Sequence, residues 1–196
     1  MTELILGSSS PRRREILSYF SLPFEQASPP FDESSVPFKG DPVAYTRTIA
    51  EKKALSLAPS FPDERILCAD TMVYREGKCY GKPRTKEEAF QFLSELAGRC
   101  HFVYTAVAFL TPRGMASEVE KTSVWFHPLT ADQIHAYMEM VHSEDKAGGY
   151  GIQKGGSLIV AKIEGCYDNV MGLPLGVTKR LLEAAGIDLW KYLKSS

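Results

Sequence analysis

The sequence is organised around one short polar stretch near its start, Ser8-Ser9-Ser10-Pro11-Arg12-Arg13-Arg14. An apolar run, Leu4-Ile5-Leu6, comes before it, and an amphipathic run over residues 16–20 follows. This order predicts a strand, a tight turn and a helix, with Ser10 at the N-cap and Pro11 at the first helical position. Hydroxyl and guanidinium groups around such a helix start can bind phosphate. A solvated basic helix start is the alternative that this stretch leaves open.

Composition places the chain among ordinary globular proteins. It has 196 residues, of which 44% are hydrophobic and 24% are charged, and its net charge is −1. A chain of this length can bury a substantial core. We therefore expect a single domain over residues 1–196, built as one large body or as two lobes that share a core, with no linker that separates independent domains.

Charge and cysteine usage narrow the function classes. A near-neutral chain offers no general field for nucleic acid or membrane, so any anion site must be local. The four cysteines are scattered without metal-like spacing and are expected to be reduced thiols. No signal peptide or apolar run of membrane-spanning length is apparent, and we expect a cytoplasmic protein.

Two candidate polar groups follow the first helix. Asp32-Glu33 lies in a Pro- and Ser-rich connection, Pro23 to Lys39, where the pair either ligates a hard cation or is simply solvated. Asp41-Pro42 then opens a second helix, and capping-box spacing after Thr85 and after Thr130 predicts two later helices. Lys53 lies at the margin of its apolar face, where a lysine usually packs its stem and extends its ammonium to the surface.

Asp70 is the most unusual residue in the sequence. It interrupts the apolar run from Ile66 to Tyr74, where an unpaired carboxylate would be costly to bury. It must therefore meet a cation or hydrogen-bond donors, or lie where the strand opens into a cleft, unless it belongs to an edge strand and faces water. Glu76-Gly77 marks a turn to a returning strand, Lys78 to Lys82. A two- or four-residue loop sets Lys82 opposite Thr71 and a three-residue loop sets it opposite Asp70. Either register predicts that Lys82 lies beside Asp70.

A glycine-rich segment runs from Lys146 to Gly156 and contains Gln153. Its glycines permit positive φ and close approach of the backbone to a ligand. It matches neither the dinucleotide-binding fingerprint nor the P-loop. Taken alone, the segment is typical of a flexible surface loop.

Six blocks, in this order, resemble the Maf family, which is named for septum formation and comprises nucleoside triphosphate pyrophosphatases. The resemblance spans essentially the whole chain. The blocks are Ser8-x-Ser10-Pro11-Arg12-Arg13, Asp32-Glu33, Ala69-Asp70-Thr71, Gly81-Lys82-Pro83, Ala147-Gly148-x-Tyr150-Gly151-Ile152-Gln153 and Asn169-Val170-x-Gly172-Leu173-Pro174. Lys154 departs from the family, which usually has glycine at that place.

The resemblance implies an α/β fold with a mixed central sheet, flanking helices and two lobes around a cleft, similar to inosine triphosphate pyrophosphatases. It implies Asp70 as the base for the attacking water, with charge and donors for the phosphates from other side chains. A Mg²⁺ or Mn²⁺ ion would bind Glu33 and Asp70. The implied catalytic residues are Asp70, Lys82, Arg13 and Lys53, and the implied phosphate-binding residues are Ser8, Ser10 and Arg13.

The combination of Arg12, Thr71 and Gln153 resembles the branch of the family directed at dTTP and UTP. The implied partners are nucleoside triphosphates, with no stable nucleic acid and no membrane, and a homodimer is left open. Two other functions stay open at this point. One is a pyrophosphatase for non-standard purine nucleotides, and the other is a cell-division regulatory protein whose basic turn binds a phosphate backbone.

Overall fold

The computed structural model describes residues 4–153 and 155–194. Within these ranges the chain alternates strands and helices, joined by turns and short 3₁₀ segments. The strands are β1 (Leu4–Gly7), β2 (Phe24–Ala27), β3 (Ile66–Arg75), β4 (Lys78–Tyr80), β5 (Cys100–Thr111), β6 (Gly114–Phe126) and β7 (Val160–Glu164). The α-helices are α1 (Pro11–Leu17), α2 (Pro42–Leu57), α3 (Lys86–Leu96), α4 (Ala131–Met140), α5 (Tyr167–Met171) and α6 (Leu175–Ala184).

The strands form one mixed sheet. Its order is β2-β1-β3-β5-β6-β7, and β4 pairs with β3 outside this path. Strand β1 runs parallel to both β2 and β3, so that Ile5 lies opposite Glu25 on one side and Ile66 on the other. The β3–β4 and β6–β7 pairs are antiparallel. The predicted α/β fold with a mixed central sheet and helices is confirmed.

One strand was not predicted. Phe24–Ala27 falls inside the connection expected from Pro23 to Lys39, yet it forms β2 at the edge of the sheet. Its four residues are polar or only partly buried, so they carry no apolar run. Parallel pairing with β1 determines this strand, and such long-range pairing leaves little trace in the local sequence.

The described chain divides into two compact units. The first unit comprises the residues up to Asp70, Thr105–Glu120 and the residues from Gly172 onward. The second unit comprises Thr71–Tyr104 and Lys121–Met171. Strand β3 changes unit between Asp70 and Thr71, in the middle of an unbroken strand.

Each unit has its own apolar core. In the first unit, α2 packs on the sheet through small and aliphatic side chains, which include Ile5, Ala50, Ala54, Leu57, Ile66 and Ala106. The core of the second unit is richer in aromatic rings and includes Tyr80, Phe92, Phe126, Tyr137 and Tyr150. No helix in the described ranges is long and apolar enough to cross a membrane.

Candidate active site

The turn that precedes α1 is built around the Ser8 hydroxyl. Helix α1 begins as predicted, with Ser10 at the N-cap and Pro11 in its first turn, but the Ser10 side chain makes no capping hydrogen bond. Instead, the Ser10 amide donates to Ser8 Oγ at 3.1 Å. Ser8 is buried, and its Oγ also accepts from Arg13 Nη1 at 3.3 Å. Two accepted hydrogen bonds leave the hydroxyl its proton to donate.

Arg13 is fixed at two points of its guanidinium. Nη1 reaches Ser8, and Nε donates to the Gly172 carbonyl at 2.7 Å. Burial lowers the pKa of Arg13, and the negative charges of Asp70 and Glu33 oppose that effect. Since both carboxylates act on Arg13, the guanidinium belongs to the same electrostatic cluster as they do. The charge of neighbouring Arg12 also acts to lower the Arg13 pKa.

Two contacts that the sequence did not indicate hold the backbone of this turn. Gln26 Nε2, on β2, donates to the Ser8 carbonyl at 2.6 Å. At Gly7 a Cβ atom would lie 2.2 Å from Cys68 Sγ and 2.7 Å from a Leu57 methyl carbon, so only glycine lets β1 approach β3 and α2 this closely. The position of Ser8 therefore depends on Gly7 and Gln26 as well as on α1.

Lys53 joins two carboxylates. Its Nζ lies 2.8 Å from Asp70 Oδ1 and 2.8 Å from Glu33 Oε1. Lys53 is 8% exposed and Asp70 is 6% exposed. The structure therefore excludes a Lys53 side chain that extends to the surface and an Asp70 side chain that faces water from an edge strand. Lys53 is the cation that compensates the buried charge of Asp70.

The adjacent acids Asp32 and Glu33 have different roles. Asp32 caps a short 3₁₀ turn, Glu33–Ser35, by accepting from the Ser34 amide at 2.9 Å and from the Ser34 hydroxyl at 2.7 Å. These hydrogen bonds lower the pKa of Asp32. Glu33 turns to Lys53, and its side chain is 52% exposed. Glu33 thus contacts Lys53, while Asp32 stabilises the turn that carries Glu33.

The Cys68 thiol lies close enough to Lys53 and Arg13 to feel their charge, but it is not reactive. Burial raises its pKa to about 12, although the charges of Lys53 and Arg13 oppose that shift. The thiol therefore stays protonated at neutral pH, and a protonated thiol is a poor nucleophile. Cys68 acts as a packing residue against Gly7.

Arg12 is partly buried in α1 of the first unit, and the remaining predicted site residues lie in the second unit. Thr71 is partly buried on β3, and Gln153 is partly buried in the glycine-rich segment.

The turn between β3 and β4 sets the register of Lys82. Glu76-Gly77 forms a two-residue turn with positive φ at both positions, and Val73 pairs with Tyr80. That register is the one that sets Lys82 opposite Thr71. Lys82 itself is exposed and follows the end of β4, so its place beside Asp70 stays a prediction.

The donor set for a divalent cation consists of two carboxylates. Glu33 and Asp70 both point at one position, which the Lys53 ammonium now contacts. No group of three or more His, Cys, Asp or Glu side chains suited to a metal occurs in residues 4–153 and 155–194. Two carboxylates suit Mg²⁺, which binds few protein oxygens and fills its octahedron with water and phosphate. These two carboxylates therefore fit a hard divalent ion.

The sequence matches a known protein family over most of its length. Residues 3–185 match the family described as "Maf-like protein". The chain belongs to the Maf family. Position 154, where the Maf pattern usually has glycine and this chain has lysine, lies outside the described residues.

Curated relatives within the Maf family cover nearly the whole chain. A protein of Chlamydia felis named "dTTP/UTP pyrophosphatase" is 45% identical over 97% of this chain and 98% of its own length. A protein of Moorella thermoacetica with the same name is also 45% identical, with the same coverage. A Chlamydia muridarum protein named "Nucleoside triphosphate pyrophosphatase" is 39% identical over 98% of each chain.

Two solved structures resemble part of the chain. The Staphylococcus aureus Ham1 protein has a TM-score of 0.41 at 15% identity and covers 63% of this chain and 70% of its own. A nucleoside-triphosphatase, or dITP/XTP pyrophosphatase, from Mycobacterium abscessus has a TM-score of 0.38 at 17% identity, with coverage of 62% and 73%.

Proposed function

We propose that this chain is a nucleoside triphosphate pyrophosphatase that hydrolyses dTTP and UTP to the nucleoside monophosphate and pyrophosphate. The observation that carries the proposal is the buried Asp70 carboxylate, held 2.8 Å from Lys53 in a cluster with Glu33, Arg13 and Ser8. Relatives that are 45% identical over nearly their full length carry the name of this activity. The biological role that fits it is removal of unwanted nucleotides from the pool.

The reaction needs a water aligned on the α-phosphorus and positive charge on the phosphate oxygens. Asp70 accepts the proton of the attacking water as the new P–O bond forms. The bond between the α-phosphorus and the bridging oxygen breaks, and pyrophosphate leaves with that oxygen. Arg13 and Lys53 stabilise the developing negative charge, and Lys82 is the proposed third cation.

The phosphate-binding donors come from the turn before α1. Ser8 Oγ already accepts from the Ser10 amide and from Arg13, so its proton is directed to another acceptor. A phosphate oxygen is the acceptor we assign to it. The Ser10 hydroxyl makes no capping bond to α1, which leaves it to serve as a second donor.

A divalent cation is the cofactor that the family suggests in general terms, and Mg²⁺ or Mn²⁺ is our proposal for its identity. Glu33 and Asp70 would hold it. When bound, the ion supplies positive charge to the phosphate oxygens. Lys53 keeps the two carboxylates together and neutralises part of their charge before the substrate arrives.

The proposal predicts both the metal requirement and the products. With UTP as substrate, excess EDTA should abolish activity and excess Mg²⁺ should restore it, because three phosphates carry more charge than the nearby basic side chains neutralise. Chromatography of the products should show UMP and pyrophosphate in equal amounts. Full activity in EDTA, or release of orthophosphate from the γ end, would contradict the proposed chemistry.

The base preference is proposed to come from Arg12, Thr71 and Gln153. Uracil and thymine present two carbonyl acceptors on either side of an N–H donor. The Gln153 amide offers one donor and one acceptor but can flip to suit cytosine. A guanidinium only donates, so Arg12 would donate to a uracil carbonyl and disfavour the exocyclic amine of cytosine. The Thr71 hydroxyl serves as donor or acceptor as needed.

A nucleotide panel tests this assignment. Because an unpaired buried polar group costs about 1–3 kcal/mol, dTTP and UTP should exceed CTP in kcat/KM by at least about tenfold. Gln153→Ala and Arg12→Met should shrink that ratio more than they lower turnover of CTP. Including ITP and XTP in the panel tests the purine alternative. Equal efficiency on UTP and CTP would refute the proposed base pocket.

A further inference from the structure

The glycine-rich segment is buried at its centre, over residues 148–150, although its composition alone suggests a surface loop. Gly148, Gly149 and Tyr150 are buried in the second unit. The Gly148 amide donates to the Gly81 carbonyl at 2.9 Å, and Gly148 has φ 72°. A segment with buried backbone and paired amides costs energy to displace. It can therefore hold the side chains that follow it in one place.

Tyr137 holds the peptide groups of Gly151 from α4. Its hydroxyl donates to the Gly151 carbonyl at 3.0 Å and accepts from the Gly151 amide at 3.1 Å. Burial raises the pKa of Tyr137, so the phenol keeps the proton that it donates. One hydroxyl thus satisfies both backbone groups of a residue that lies two positions before Gln153.

Tyr150 provides a second attachment on the other side of Gly151. Its hydroxyl lies 2.7 Å from His101 Nε2, and its ring meets the Phe126 ring edge-on at 4.7 Å between centroids. Burial lowers the pKa of His101 to about 3, with a smaller contribution from the charge of Arg75. The imidazole is therefore neutral at physiological pH, and its contact with Tyr150 does not change with pH in that range.

The backbone is also held beyond Gln153. The Gly156 amide donates to the Gln153 carbonyl at 3.1 Å. A Cβ at Gly156 would lie 2.6 Å from the Gly151 carbonyl oxygen, so glycine is required for this approach. Gln153 is therefore flanked on one side by the Tyr137–Gly151 contact and on the other by its own bond to Gly156.

We propose that Tyr137 is a positioning residue for base selection, which acts by fixing the Gly151 peptide and through it the Gln153 side chain, with the Tyr150–His101 contact as the second support. This inference rests on the proposed function of Gln153. Hydrogen bonds from Gln153 can favour one base over another only if the side chain is presented at a fixed position. The two tyrosine hydroxyls hold the backbone that presents it, without touching the substrate.

The test is the ratio of kcat/KM for UTP to that for CTP. Tyr137→Phe removes both hydrogen bonds to Gly151. Because a hydrogen bond contributes only modestly to net stability, we expect the ratio to fall about three- to tenfold. Turnover of CTP should change little. Tyr104→Phe is the matched control, because it removes the hydroxyl of another buried tyrosine in the same unit, away from Gly151. It should leave the ratio unchanged.

A double-mutant cycle with Gln153→Ala separates positioning from general support of the fold. If Tyr137 acts through Gln153, Tyr137→Phe should cause no further loss of the ratio when Gln153 is already alanine. Hydrogen exchange of the Gly151 amide should be faster in Tyr137→Phe than in wild type and Tyr104→Phe. Should Tyr137→Phe fail to fold, Tyr150→Phe enters the same cycle with the same expectation.

The possible results separate the role of Tyr137 from the proposed base preference on which it rests. A wild-type protein that hydrolyses UTP and CTP alike would refute the base pocket and this inference together. A wild-type protein that prefers UTP, with a Tyr137→Phe variant that keeps the preference, would overturn only the inference. An equal loss of the ratio in the presence and absence of the Gln153 side chain would also overturn it, since Tyr137 would then act by another route.

Discussion

An Asp70→Asn variant is expected to fold normally and to lose about 10²- to 10⁴-fold in kcat, the range typical of general-base catalysis. Asparagine has the size of aspartate, and its amide oxygen can still accept from Lys53 Nζ, which now lies 2.8 Å from Asp70 Oδ1. Lys53 also keeps its contact with Glu33 at 2.8 Å. The variant therefore removes the base and one charge with little change in packing.

The measurement is kcat at saturating UTP and Mg²⁺, together with a thermal melt. Asp41→Asn is the matched control, because Asp41 caps α2, the helix that carries Lys53, and asparagine caps helices about as well as aspartate. That variant should retain wild-type turnover and melting temperature. A well-folded Asp70→Asn variant with near wild-type kcat would remove Asp70 from the mechanism.

Local signals predicted most of the helices. Asp41 caps α2 by accepting from the Val43 and Ala44 amides, and Thr85 caps α3 by accepting from Glu88 N. Thr130 and Gln133 form the reciprocal capping box of α4. Each of these structures is determined by residues within one helical turn, which is why the sequence alone reveals them.

Elements that depend on distant partners were missed or misjudged. Strand β2 exists because it pairs with β1, and helix α5 is only five residues long. Strand β4 ends at Tyr80, two residues before the predicted end at Lys82. Short elements contain too few residues for a periodic pattern, so tertiary contacts decide them.

The candidate site shows the same division. Burial of a carboxylate in an apolar strand predicts that Asp70 has a cationic partner, but not that the partner is Lys53 from α2. The choice of Glu33 over Asp32 depends on the turn that Asp32 caps. Contacts with backbone carbonyls, such as that of Arg13 with Gly172, require no particular acceptor side chain and leave no signal in the sequence.

Paired hydrogen bonds on a single hydroxyl fix the backbone both in the turn before α1 and in the glycine-rich segment. In both, two hydrogen bonds hold one hydroxyl: Ser8 Oγ accepts from the Ser10 amide and from Arg13, and the Tyr137 hydroxyl pairs with both peptide groups of Gly151. Buried polar groups that are fully paired hold one geometry, because each alternative leaves a group unsatisfied. The residues proposed for chemistry and for base selection are therefore presented by scaffolds with little freedom to rearrange.

Lys53→Met is expected to give the largest loss of stability among single substitutions in the cluster. Removing the ammonium leaves the Asp70 and Glu33 carboxylates without the cation that each now contacts at 2.8 Å. Removing one partner of a buried ion pair typically costs about 3–5 kcal/mol. We expect the lower end of that range, because the Glu33 side chain is 52% exposed and can turn to water.

The measurement is the free energy of unfolding from urea titration, with and without Mg²⁺. Lys52→Met is the matched control, because it makes the same substitution at the neighbouring, exposed position of α2. Lys52 Nζ lies 5.9 Å from the centroid of the Phe31 ring. Exposed substitutions of this kind usually change stability by less than about 0.5 kcal/mol. A Lys53→Met variant as stable as Lys52→Met would show that the bridge contributes nothing to folding.

Mg²⁺ extends this prediction to the proposed metal ligands. A cation held by Glu33 and Asp70 would compensate the charge that Lys53 no longer neutralises, and binding to the folded state alone raises stability. Saturating Mg²⁺ should therefore stabilise Lys53→Met more than it stabilises wild type, and a Lys53→Met/Glu33→Gln double variant should lose most of that gain. Equal effects of Mg²⁺ on all three proteins would exclude this carboxylate pair as the cation site, whatever the activity of the enzyme.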